Sequence, residues 1–401
     1  MSLLSVIERV CEYGRVVIHA GRFKVLVAVL AALVRSQCLS LTAIGRGMRG
    51  AKRQKHSIKR VDRLLRNGHL YRERPDLFRG LAARLLKANS SPVIVLDWTA
   101  VGEQFSGLVA GLPFGGRALP IYEETHPRKH QGKREVEQRF LARLAAILPS
   151  GCTPILIADA GFRGPFCQAV LALGWHFVIR LRSTCHVRLG TDEVGGDFHR
   201  FYEQATSRPK ALGWGEFAPQ GTRTEARFIL YKKKPSPKKP SQKPPRGKRR
   251  RSGSQSKAKR GAVEPWLLAT SLPHASAATI CDLYATRMQI EETFRDTKNH
   301  RFGWSLQDAR YRSTRRLDIL FLLIALAMLM VTLLGSAAEA AQRHLGYQSN
   351  SIKTRRVLSW FVLGNCIIQH QETRWLTPSV FTAALARCHA FQEHLVASFI
   401  S

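Results

Sequence analysis

YATRMQIEETFRDTK, residues 284–298, is polar and charge-mixed, with no Gly or Pro, and its composition predicts one continuous helix. At about 100° per residue, with Tyr284 at 0°, Arg287 falls near −60°, Glu291 near −20° and Lys298 near −40°. A phenol, a carboxylate and two cations therefore share one stripe. Leu283, Ile290 and Phe294 form an adjoining apolar stripe that can anchor the helix in a core. A solvated face with ordinary i,i+4 pairs has the same pattern, so the surrounding chain decides between the two.

The chain has 401 residues, 45% of them apolar, enough for a large core and one or two smaller domains. Lys and Arg number 63 against 28 Asp and Glu, a formal net charge of +35. Such an excess points to a polyanion, and nucleic acid is the expected one. The eight Cys show neither a CxxC pair nor a Cys/His cluster at zinc-finger spacing, and several lie in apolar runs. They read as small buried hydrophobes in a reducing compartment. The N-terminus carries Glu8 and Glu12 and has no signal-peptide pattern, so a cytoplasmic protein is expected. Residues 319–338 are apolar for long enough to span a bilayer. The competing reading, a buried central helix, fits a basic chain that needs a core, and no membrane partner is expected.

Residues 1–88 are basic and helical in pattern. From Ser91 the texture changes. SPVIVLDWT, FSGLVAGLPF and RALPIYEE read as strands, KREVEQRFLARLAAIL as a helix, TPILIADAGF as a strand, PFCQAVLAL as a helix and HFVIRLR as a strand. The order βββαβαβ predicts a mixed α/β sheet. Beyond Arg182 come strand-like CHVRLG, GWGEF, EARFILYKKK and WLLATS. Residues 232–260 interrupt them with fourteen Lys/Arg and no acid, a composition expected to be disordered.

Two of these strands are read as ending in an isolated carboxylate, Asp97 after VIVL and Asp159 after ILIA. The first and fourth strands of such a sheet are commonly neighbours, and the helix could bring Glu291 to the same point. Three carboxylates repel unless cations neutralise them. Oxygen ligands without Cys or His suit Mg²⁺ or Mn²⁺. Two such ions about 4 Å apart catalyse in-line attack on phosphodiesters.

Asp97, Asp159 and Glu291 resemble the acidic triad of a DDE transposase. Tyr284-x2-Arg287-x3-Glu291-x6-Lys298 is similar to the Y-R-E-K signature of the bacterial insertion-sequence-four family of cut-and-paste transposases. IKRVDRLLRNGHL, IADAGF, HFVIRLR and WLLATS extend the resemblance over roughly residues 25–340. It implies a ribonuclease-H-like core with a β-rich insertion between the second Asp and the Glu. It also implies metal-dependent cleavage at transposon ends, a hairpin intermediate and strand transfer, carried out on double-stranded DNA by a homodimer in the synaptic complex. Tyr284, Arg287 and Lys298 would bind phosphates, with Arg180 and Arg182 of HFVIRLR added to the DNA-binding set. Trp266 matches a Trp that in relatives stacks on a flipped base. The basic loop 232–260 departs from the family pattern.

The organisation expected is a helical DNA-binding domain over 1–88, the first part of the core over 89–182, the β-rich insertion over 183–270, completion of the core over 271–340 and a helical C-terminal region over 341–401. The alternative function is a catalytically inactive DNA-binding protein derived from a transposase.

Overall fold

The structure, a computed structural model, describes residues 2–50, 53–86, 91–182, 185–190, 196–218, 223–234, 264–301, 303–349, 351–371 and 375–400. In chain order the elements begin with six helices: α1 (Leu3–Val10), α2 (Gly14–Val17), α3 (Ala20–Ser36), α4 (Leu41–Gly47), α5 (Gln54–Leu65) and α6 (Gly68–Leu85). Next come β1 (Val93–Val101), β2 (Phe105–Phe114), β3 (Arg117–Pro127), α7 (Arg134–Ile147), β4 (Ile155–Ala158), α8 (Gly164–Ala172) and β5 (His176–Leu181). The strands β6 (His186–Leu189), β7 (Gly196–Asp197), β8 (Lys210–Ala218), β9 (Thr224–Tyr231) and β10 (Trp266–Thr270) follow. The last helices are α9 (Ala277–Ala285), α10 (Met288–Lys298), α11 (Thr314–Ala340), α12 (Trp360–Gln369) and α13 (Pro378–Ile400). The βββαβαβ order expected from the sequence is present as β1-β2-β3-α7-β4-α8-β5. The chain forms two compact units, Met1–Leu156 with Thr286–Ser398, and Ile157–Ala285 with Phe399–Ser401.

In the first unit, β1, β2 and β3 form an antiparallel meander in which Asp97 lies opposite Val109, and Val109 opposite Glu123. The β2–β3 hairpin turns on Gly115 and Gly116, at φ 60° and 91°. Two residues in the left-handed region match the twist of the flanking strands, and glycine enters that region without steric cost. Ser40, Asn67 and Ser359 cap α4, α6 and α12, each side-chain oxygen accepting a backbone N–H. These caps satisfy donors that a helix start would otherwise leave unpaired.

The apolar run expected to be either a core helix or a membrane span is α11. Its most apolar window has a mean hydropathy of 2.8 and is entirely buried. It packs against β3, α3, α5, α6 and α12, so burial in this core accounts for its hydrophobicity. The crossing of α11 and α12 is backbone-close. A Cβ on Gly364 would stand 2.0 Å from the Val331 carbonyl oxygen, and one on Gly335 1.9 Å from that of Trp360.

A buried ion pair joins the N-terminal helices to this core. Arg74 of α6 lies 3.1 Å from the Asp318 carboxylate of α11 and donates at 3.0 Å to the Glu123 carbonyl of β3. Asp318 also accepts the Thr125 backbone N–H at 2.7 Å. Burial pushes the Asp318 carboxyl above its usual range, against the pull of Arg74.

The second unit carries the antiparallel order β5-β10-β9-β8-β6-β7, with α8 and α9 packed on its strands. This is the β-rich texture expected beyond Arg182. Of the basic loop 232–260, everything past Lys234 lies outside the described residues.

Two expectations change. Asp97 does not close its strand. β1 runs four residues further, because Trp98, Thr99, Ala100 and Val101 keep pairing with β2 down to Val101 opposite Phe105. The predicted single helix over 284–298 is two helices, α9 ending at Ala285 and α10 starting at Met288. Gln289 donates to Thr286 O and Ile290 to Arg287 O, three-residue steps that tighten the chain into a turn.

Removing one partner of the Arg74–Asp318 pair strands a buried charge, which costs about 3–5 kcal/mol. Asp318→Ala should lower the urea unfolding free energy by that order, measured by circular dichroism. A loss within about 0.5 kcal/mol, the range of ordinary surface substitutions, would show that the pair does not hold α6 to the core.

Candidate active site

Asp97 sits mid-strand in β1 with its Oδ1 accepting the Trp98 backbone N–H at 2.8 Å. Its other oxygen faces Arg287, 3.4 Å from Nη1. The second terminal nitrogen of that guanidinium pairs with Glu291, one turn further along α10. One half-buried arginine thus bridges two carboxylates from different elements. Arg287 occupies the N-cap of α10, where the helix's own positive end disfavours a cation. Asp97 and Glu291 offset that cost.

The strand on the other side of the meander holds α10 in place. Thr293 Oγ1 donates to Ala118 O at 2.8 Å and accepts Ala118 N–H at 2.9 Å. Arg117 pairs with Asp296 at 2.5 Å and lies 3.7 Å from Glu292. Sequence reasoning missed all three of Thr293, Arg117 and Asp296. The available signal was that Thr293, Asp296 and Thr297 are polar residues at helical spacing facing inward, where buried polar groups need partners. Trp98 was missed too. It points to the opposite sheet face from Asp97 and donates its indole N–H to Glu137 at 3.1 Å.

Lys298 is half-buried at the far end of α10, with Nζ 5.6 Å from the Phe294 ring centre. Burial lowers its pKa below the usual 10.5, while the Asp97 charge acts in the opposite direction. Arg287, Glu291, Lys298 and Asp97 are therefore gathered in the first unit.

The remaining candidates lie in the second unit. Asp159 directly follows β4, and its Oδ1 accepts the Gly161 N–H at 2.8 Å, closing a tight turn. The half-buried Trp266 stands opposite Tyr231 in the β9–β10 ladder, with ring centres 5.5 Å apart. Tyr284, only 5% exposed, meets Trp266 edge to face at 5.0 Å and 74°. Arg180 and Arg182 both donate to one Glu264 oxygen at 2.9 Å.

A family model for the transposase DDE domain matches residues 89–330. The chain belongs to the DDE-domain transposases. No curated protein matches it. The mixed α/β core is accordingly a ribonuclease-H-like fold, and DNA is the substrate of such an enzyme.

DDE transposases generally use divalent metals, and Asp97 and Glu291 are oxygen donors of the kind such ions take. Asp97 and Glu291 already share a cationic group, the Arg287 guanidinium, so their oxygens face a position made for positive charge. Oxygen-only donors suit Mg²⁺ or Mn²⁺. Among the described residues no three His, Cys, Asp or Glu side chains stand gathered as a ready metal cluster.

The lowered pKa of Lys298 has a consequence for the transposase's stability. A charged lysine disfavoured by the fold costs stability at neutral pH. That cost lifts only as pH rises from the lowered folded value towards the usual 10.5. Lys298→Met keeps most of the apolar stem and removes the charge. Its urea midpoint at pH 7 should equal or exceed that of the parent. A clearly lower midpoint would contradict the burial account.

Proposed function

We propose that this transposase is a cut-and-paste enzyme of the insertion-sequence-four family. On this reading it binds the terminal inverted repeats of its element through the basic helical region 1–88. It acts as a homodimer in the bacterial cytoplasm, at the nucleoid and without a membrane partner. The observation that carries the reading is the shared cation of Asp97 and Glu291, set in the Y-R-E-K spacing on a transposase DDE domain.

Two Mg²⁺ or Mn²⁺ ions held by Asp97, Asp159 and Glu291 would supply activation of the attacking oxygen and neutralisation of the leaving one. The protein's own groups bind and orient DNA. Arg287 and Lys298 donate to phosphate oxygens beside the scissile bond, for which guanidinium and ammonium donors are suited. In the first step water attacks phosphorus, a P–O bond breaks and a 3′-OH is released. That hydroxyl then displaces one P–O bond of the opposite strand as it forms another, giving a hairpin. Water opens the hairpin, and the exposed 3′-OH attacks target DNA in a balanced exchange of ester bonds.

Hairpin formation strains the duplex end, and extruding a base relieves it at a cost of a few kcal/mol of stacking. Trp266 would replace that stacking, worth about 1–3 kcal/mol per base. Tyr284 is nearly fully buried behind the indole, which favours a role in holding Trp266. Arg180 and Arg182 would exchange Glu264 for a phosphate.

Asp97→Ala, Asp159→Ala and Glu291→Ala should each abolish cleavage of the element's ends while leaving end binding largely intact. Full cleavage by any one of them removes that residue from the site. Trp266→Ala should spare first-strand nicking and slow hairpin formation about tenfold or more, because 1.4 kcal/mol corresponds to a factor of ten. Denaturing gels resolve both products, and a parallel fall in nicking and hairpin would mark Trp266 as a packing residue.

A further inference from the structure

Among the described residues, a cluster of arginines lies in the first unit, where the chain between α10 and α11 meets the end of α5. Two adjoining cavities of about 550 and 340 Å³ open there and share Arg66, Arg312 and Arg316. Arg310 lines the first and Arg315 the second. Five arginines thus converge from segments almost 250 residues apart in sequence.

The acids present do not neutralise them. Asp62 is shared, 3.2 Å from Arg66 and 2.5 Å from Arg316. Asp308 pairs with His300 at 3.0 Å. Among the described residues, Arg310, Arg312 and Arg315 have no carboxylate partner within ion-pair distance. Arg315 and Arg316 open α11, whose own positive end disfavours cations in its first turn. The fold accepts this cost and also orients the groups. Arg315 lies over the Tyr71 ring at 4.8 Å and Arg316 over Tyr311 at 5.5 Å. The Arg316 Nε is buried without a hydrogen-bond partner. An anion with several acceptor oxygens would satisfy these donors.

The patch continues along α5, which exposes Lys55, Lys59, Arg60 and Arg63. Such a row matches an extended polyanion better than a single small anion. We infer that Arg66, Arg310, Arg312, Arg315 and Arg316 form a phosphate clamp for the backbone of duplex DNA lying along α5, away from the bond that is cut. The clamp rests on the reading of the chain as a DNA-cutting transposase. It holds DNA at a fixed spacing from Asp97 and Glu291, because the 310–316 segment leads directly into the core helix α11 of the same unit.

The probe is a fluorescein-labelled 30-bp duplex of arbitrary sequence, with binding followed by anisotropy as KCl is raised. Arg310→Ala/Arg312→Ala should reduce the slope of log K against log[KCl] by about two, since each phosphate contact contributes about 0.9. Arg310→Lys/Arg312→Lys keeps the charge and should keep most of the slope, and all variants should share the parent's urea midpoint. An unchanged slope in the alanine variant overturns the clamp while leaving the transposase reading intact. Failure of the parent protein to bind any duplex overturns both. Equal loss of slope on a single strand of the same sequence overturns the assignment to a duplex backbone.

Discussion

The Asp97–Arg287–Glu291 bridge is the interaction around which the first unit is arranged. Two carboxylates brought together in a half-buried site repel, and one of them must be neutralised unless a cation stands between them. Arg287 is that cation here. It sits where a helix starts, so its position is fixed by backbone geometry and not by a long flexible stem alone. The turn at Thr286 and Arg287 that breaks the expected helix is what places the guanidinium between the two acids. On the proposed reading, this arginine gives up the carboxylates to take hold of phosphate.

A site made of one strand residue and one helix face works only if helix and strand cannot slide. Thr293 locks α10 to the first residues of β3 through both the donor and acceptor of Ala118, and Arg117 reaches back to Asp296. These polar contacts fix register, which apolar packing alone does not. Beneath them α11 supplies a fully buried apolar backing, and Arg74 with Asp318 ties the basic N-terminal helices to that helix and to β3. The N-terminal helices are thereby tied to the unit that carries Asp97 and Glu291.

Local pattern made much of this legible in the sequence. The alternation of strands and helices from Val93 to Leu181, the strand-end position of Asp159 and the grouping of Arg287, Glu291 and Lys298 follow from short-range periodicity. What was not legible depends on contacts between distant residues. Asp97 looked terminal because the apolar run stops there, yet β1 continues through Trp98–Val101 because β2 is present to pair with it. Tyr284 shared a helical stripe with Glu291 on paper, but the turn at Thr286 puts it in α9, against Trp266. The clamp arginines were invisible as a group because Arg66 and Arg316 share Asp62 only once the chain has folded.

The central claim is that Asp97 and Glu291 act as oxygen ligands for the ions that support cleavage. The most direct test replaces Asp97 by Cys and assays end cleavage in Mg²⁺ and in Mn²⁺. A thiolate is a poor ligand for the hard Mg²⁺ ion and a better one for the softer Mn²⁺. The account predicts that Asp97→Cys binds ends normally, fails to cleave in Mg²⁺ and recovers cleavage in Mn²⁺. Full cleavage in Mg²⁺, or no recovery in Mn²⁺ with end binding intact, would contradict it.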